Sequence, residues 1–354
     1  MKKYFSFIVS LWLCLPCLML CTGCFSTHRL VPINDPAPLP EFCVPEKIRV
    51  ALVLGSGGVR GMAHVGVLEE LEAAGIPIDL IVGCSAGSIV GAIYADNPHA
   101  ETTKQAVWKL RTQNLMDFDL WNCRYGLSQG RSMYRVLDQH LDAETFEELK
   151  IPLVIVATDL NSGEVVPMGS GDLMKAVQAS CSIPLVFVPC EHQGRILVDG
   201  GVANPVPVKL ARDLGAQIII AVDLCELLPH TFPTNLFEVA TRSAEITFMW
   251  QNETCTRSSD VIIRPKTCGV GAFNENMKWQ IYQAGKNAAK EQIPRIQELV
   301  AKLATEKCLE VRTIKPICYK PAIESEEARR LALLSPDEVI LVDEEEMFSE
   351  DYPE

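Results

Sequence analysis

Between residues 48 and 263 the chain alternates between two hydrophobic rhythms. Residues 48–54 form a short apolar run that ends in glycines, the pattern of a strand buried on both faces. Met62, Val65, Leu68 and Leu71 then recur at three-residue steps with Glu69, Glu70 and Glu72 between them, and Gly75-Ile76-Pro77 follows as a stop. That spacing predicts an amphipathic helix. Residues 80–82 read as a second buried strand closed by Gly83, and residues 86–95 as a helix of small and apolar side chains. Further strands are expected at 153–157, 195–198, 218–222 and 261–263, separated by helical stretches. Continuous apolar strands between helices imply an α/β fold whose central sheet is largely parallel and covered on both faces.

The flanks have a different character. Lys2 and Lys3 precede an almost unbroken apolar stretch over residues 5–21, the form of an export signal, so residues 1–23 are excluded from the fold. Thr22-Gly23-Cys24 resembles the end of a bacterial lipoprotein signal, which would make Cys24 the lipidated first residue of an exported, membrane-anchored lipoprotein of the cell envelope. Residues 24–45, with prolines at 32, 36, 38, 40 and 45, read as a tether. One domain is expected over 46–303, followed by a C-terminal extension over 304–354. Its last stretch, residues 337–354, holds nine acidic and no basic residues and reads as a solvated tail.

Composition narrows the function. The apolar fraction of 48% and charged fraction of 22% suit a globular protein. The net charge of −13 disfavours nucleic acid as a partner. Of 14 cysteines, four lie in or at the end of the signal, and the ten in the body show no C-x-x-C spacing; together with the absence of a D-x-D-x-D-G loop, this leaves no expected metal site and no expected cofactor.

Three segments carry candidate chemistry. Gly55-Ser56-Gly57-Gly58-Val59-Arg60-Gly61 stands at a strand-to-helix junction, where backbone amides can face a phosphate or an oxyanion. Arg60 stands where a dinucleotide fingerprint needs its third glycine, and no ribose-binding acid follows about 20 residues on. Instead comes Gly83-Cys84-Ser85-Ala86-Gly87, a G-x-S-x-G nucleophile elbow between a buried strand and a helix. The third is Asp199-Gly200-Gly201, at the end of an apolar strand and before Asn204-Pro205-Val206-Pro207. Alone, an Asp-Gly pair is most often a turn.

A glycine-rich loop with Arg, then GxSxG, then DGG resembles the patatin-like phospholipases and the catalytic domain of neuropathy target esterase. Ala157-Thr158-Asp159-Leu160-x-x-Gly163 and Ala179-Ser180-Cys181-Ser182-Ile183-Pro184 resemble the bacterial branch of that family. The likeness covers about residues 48–303. It implies a three-layer α/β/α fold and hydrolysis of lipid acyl esters by a Ser-Asp dyad, here Ser85 as nucleophile and Asp199 as base. It further implies Gly57 and Gly58 as oxyanion donors, Arg60 as the arginine that orders their loop or lends it charge, and Gly83, Gly87, Gly200 and Gly201 as motif glycines. Ser56 stands where the family has glycine.

Two alternatives remain at this level. The fold could serve a catalytically silent binding module. An α/β-hydrolase triad would instead need a histidine after the acid; His28, His64, His99, His140 and His192 all precede Asp199, and His230 alone follows it. The acyl donor, whether phospholipid, lysophospholipid, glyceride or thioester, is open.

Overall fold

The structure, a computed structural model, describes residues 30, 41–118, 123–224, 232–267, 275–306 and 317–319. The signal-like segment, Cys24, His230 and the acidic tail lie outside the described residues.

In chain order the strands are β1 (Phe42–Val44), β2 (Val50–Leu54), β3 (Leu80–Cys84), β4 (Gly126–Ser128), β5 (Leu153–Asp159), β6 (Val165–Met168), β7 (Leu185–Phe187), β8 (Cys190–His192), β9 (Arg195–Asp199), β10 (Ile218–Val222), β11 (Val261–Ile263) and β12 (Ile317–Tyr319). The α-helices of six or more residues are α1 (Met62–Ala73), α2 (Ala86–Asp96), α3 (Ala100–Lys109), α4 (Arg131–Leu137), α5 (Leu173–Ser180), α6 (Val208–Asp213), α7 (Leu236–Thr256) and α8 (Lys278–Glu306).

The main sheet runs β11-β10-β2-β3-β5-β9-β8, with β6 also paired to β5. From β11 to β5 every pairing is parallel, whereas β9, β8 and β6 are antiparallel to their neighbours. The sheet is therefore mostly parallel, as the apolar strands imply. The alternation of β2 explains its placement. Val50, Leu52 and Leu54 enter one core and Ala51 and Val53 the other, and all five are fully buried. Burying a side chain such as Leu52 contributes about 1.5–3 kcal/mol, so a strand apolar at every position is stable only with a layer on each side.

Residues of α1, α2, α3, α5 and α8 complete the first core, and α6 completes the second. Helix α8 lies close against α1 through two glycines. A Cβ on Gly66 would come within 2.3 Å of Tyr282 O, and one on Gly285 within 2.1 Å of Ala63 O. Helix α8 continues to Glu306, past the boundary read at 303. Residues 42–44, read as the end of the tether, form β1 and pair antiparallel with β12, within the segment read as the C-terminal extension. These strands, like β4, β6, β7 and β8, have only three or four residues, too few for a periodic signal to stand out.

Candidate active site

The C-terminal ends of β3 and β9 bring two sequence-predicted residues together. Strand β3 passes into α2 through Ser85, whose φ of 51° and ψ of −119° lie outside the usual regions for a residue with a side chain. Such a conformation costs on the order of 1–3 kcal/mol and persists where surrounding structure enforces it. The enforcement is visible. A Cβ on Gly87 would meet Leu54 O at 2.0 Å, and one on Gly83 would meet Ser88 Cα at 2.8 Å. Ser85 N–H donates to Ser180 Oγ at 2.8 Å, and Ser180 Oγ donates to Val156 O on β5 at 2.7 Å.

Ser85 Oγ donates to Asp199 Oδ2 at 2.5 Å. Asp199 closes β9, and its Oδ1 accepts Gly201 N–H at 2.7 Å. Thr158 Oγ1, on the neighbouring strand β5, donates to Asp199 O at 3.0 Å. Gly200 carries no side chain because a Cβ there would lie 2.4 Å from Val156 O. Burial pushes the Asp199 carboxyl up to about 6, against the opposing pull of its hydrogen bonds from Ser85 and Gly201. A free Asp, near 3.9, is a poor proton acceptor at neutral pH, and burial raises the basicity of this one.

The glycine-rich loop lies against the same point. Ser56 N–H donates to Pro205 O and Gly55 N–H to Val222 O, while the amides of Gly57 and Gly58 have no acceptor among the described residues. Gly58 and Ser85 both line one pocket. Its cavity of about 120 Å³ is walled largely by apolar side chains such as Met62, Val90, Leu115, Met133 and Phe187. A serine hydroxyl, a carboxylate with raised basicity, unengaged amides and an apolar pocket together can bind an acyl chain and transfer its carbonyl.

Residues 52–212 match the family model of patatin-like phospholipases, a span that holds the loop, the elbow and Asp199. This stretch is a patatin-like phospholipase domain. It is 35% identical over 181 residues to patatin-like phospholipase domain-containing protein 6 of Homo sapiens, covering 49% of this chain and 13% of that protein. It is 36% identical over 176 residues to an NTE family protein of Mycobacterium tuberculosis, covering 50% of this chain and 49% of that one. The chain thus spans under half the length of these relatives. Among solved structures, VipD from Legionella pneumophila aligns over 77% of this chain and 72% of its own at 12% identity, with a TM-score of 0.48.

Within the patatin-like domain, Arg60 orders the loop: its backbone N–H and its Nε each donate to Gly57 O at 3.2 Å. His64 is a residue whose position sequence reasoning did not single out. It is fully buried on α1, and Nε2 bonds Gly55 O at 2.8 Å, so Nε2 carries the proton. Burial pushes its ring down to about 4, leaving it neutral. Its Nδ1 has no partner among the described residues.

Ser180 is a second such residue. It lies inside the Ala179-Ser180-Cys181 motif, but only the fold shows that it links Ser85 to β5. Ser88 Oγ donates to Ser85 O at 2.6 Å, and the buried Cys181 lines the pocket beside them. Burial pushes the Cys181 thiol well above its ordinary range. Cys84 and Cys181 are both unbridged. Among the described residues no histidine hydrogen-bonds Asp199, and no three His, Cys, Asp or Glu side chains cluster as a metal site.

Proposed function

We propose that this protein is a serine lipid acyl hydrolase in which Ser85 is the nucleophile and Asp199 the base. The observation that carries the reading is the 2.5 Å hydrogen bond from Ser85 Oγ to Asp199 Oδ2 beside an apolar pocket. Asp199 accepts the Ser85 proton as Oγ attacks the ester carbonyl. The tetrahedral oxyanion is held by the loop amides of Gly57 and Gly58, and protonated Asp199 gives its proton to the departing alkoxide. Water then attacks the acyl-enzyme while Asp199 takes a proton from it, and Asp199 returns that proton to Ser85 Oγ as the fatty acid leaves, which restores the hydroxyl and the carboxylate. No cofactor enters these steps. The pocket's dimensions and apolar walls support an acyl chain as the recognised group, with phospholipid as the favoured donor.

The test uses a fluorophosphonate probe and a short-chain ester in metal-free buffer. Wild type is expected to label and to turn over, and Ser85→Ala to do neither while keeping its circular dichroism spectrum. Turnover by folded Ser85→Ala above background would remove the nucleophile assignment.

The reading extends to the membrane through Cys24, which the sequence Thr22-Gly23-Cys24 supports as a lipidation site. In cells given a fatty-acid analogue, wild type is expected to take up label and Cys24→Ala to take up none. An unlabelled wild type that still pellets with membranes would replace the lipid anchor with a hydrophobic N-terminal segment.

A further inference from the structure

The apolar pocket reaches a second feature that acyl transfer does not use. Besides Ser85 and Gly58, it is lined by Val107 and Leu110 at the end of α3 and by Glu275 and Lys278 at the start of α8. Lys278 Nζ ties these two helix ends together, donating to Trp108 O at 3.3 Å and to Leu110 O. Cations stabilise the carbonyl end of a helix. The tie also sets two tryptophans side by side at the surface. Trp108 and Trp279 meet edge to face with ring centroids 6.3 Å apart, yet remain 41% and 55% exposed. Trp279 continues against Tyr282 at 5.4 Å.

Large exposed aromatics in a cluster mark an interaction surface, and the charges around this one indicate its partner. Lys109 and Arg111 are exposed immediately beyond Trp108, and among the described residues neither pairs with a carboxylate. Arg111 is close enough to Lys278 that its charge helps push the Lys278 ammonium down, after burial, while Glu275 opposes this. A chain of net charge −13 thus carries a local cationic rim around a tryptophan pair. Indole rings favour the lipid headgroup boundary, where the ring is apolar and the N–H is wet, and Lys and Arg there are drawn to anionic lipids.

We propose that Trp108 and Trp279, with Arg111 and Lys109 beside them, form the surface on which this protein docks against an anionic lipid bilayer. The pocket ends next to that surface, so a docked molecule presents the route toward Ser85 to the membrane. The inference rests on, and adds a partner to, the acyl-hydrolase reading.

The test uses the full chain and vesicles of phosphatidylcholine mixed with phosphatidylglycerol, with or without brominated acyl chains. The emission contributed by Trp108 and Trp279 is obtained as wild type minus the double variant Trp108→Phe/Trp279→Phe, which removes the contribution of the other tryptophans. That difference is expected to be quenched by brominated vesicles and to recover when Arg111→Glu is added to both proteins. In parallel, Trp108→Ala/Trp279→Ala is expected to lower hydrolysis of vesicle phospholipid about tenfold while turnover of a soluble short ester is unchanged. A difference emission untouched by bromine, or vesicle hydrolysis equal to wild type, overturns the surface. A wild type that turns over no ester but whose difference emission is quenched overturns the hydrolase reading and leaves the surface standing.

Discussion

The two halves of the main sheet contribute to the site in opposite ways. The parallel half delivers Ser85 by backbone geometry: β3 turns into α2 through one residue at φ 51°, and Gly83 and Gly87 are glycine because neighbouring backbone leaves no room for a Cβ. The antiparallel half delivers Asp199 by environment. Its backbone at the end of β9 has a φ of −46° and a ψ of 132°, with no positive φ, and what sets it apart is burial that pushes its carboxyl up to about 6. Strand β5 joins the halves, since Val156 accepts from Ser180 on one side and Ala157 lies opposite Asp199 on the other. In the proposed dyad the nucleophile is thus prepared by shape and the base by desolvation.

The largest effect should come from removing the base. Asp199→Asn is expected to lower kcat by about 10³-fold or more, because nucleophile and base act as one unit. The same change should stabilise the protein. The folded carboxyl near 6 lies above the unfolded value of about 3.8, so its favourable contribution is complete below 3.8 and is lost as pH rises through 6, leaving an ionised buried carboxylate as a cost of folding. Asn removes that cost, on the order of 2–3 kcal/mol at pH 8, and urea denaturation should show a higher midpoint with an unchanged slope. In wild type, kcat/KM should fall about tenfold per pH unit below about 6 as the base is protonated. A mild loss of activity in Asp199→Asn, or a profile flat to pH 5, would move the base elsewhere.

A smaller effect should come from uncoupling the halves at β5. Ser180→Ala leaves Ser85 N–H without its acceptor and Val156 O without its donor. We expect kcat to fall about 10- to 100-fold, since small displacements of a reacting group are expensive, with KM within about twofold of wild type. A rise in KM at constant kcat would mean that Ser180 shapes the pocket rather than the elbow. The smallest effect is expected at His230, outside the described residues. His230→Ala should stay within about threefold of wild type, because a triad histidine would be as indispensable as the serine. A loss of several orders of magnitude there would replace the dyad with a triad.

Read from residues alone, the strands at β2, β3, β5, β9, β10 and β11 were legible because an unbroken apolar run between helices has few other stable placements. Ser85 and the elbow glycines were legible for a related reason, since local backbone sterics are written in local sequence. Asp199 was recognisable only as part of an ordered set of motifs, as an Asp-Gly pair by itself reads as a turn. Its raised basicity, the Ser180 bridge to β5, the buried His64 against Gly55 and the pairing of β1 with β12 belong to the tertiary structure. Each joins residues distant in the chain or depends on how much water the packed layers exclude, and neither quantity is a property of any local stretch of sequence.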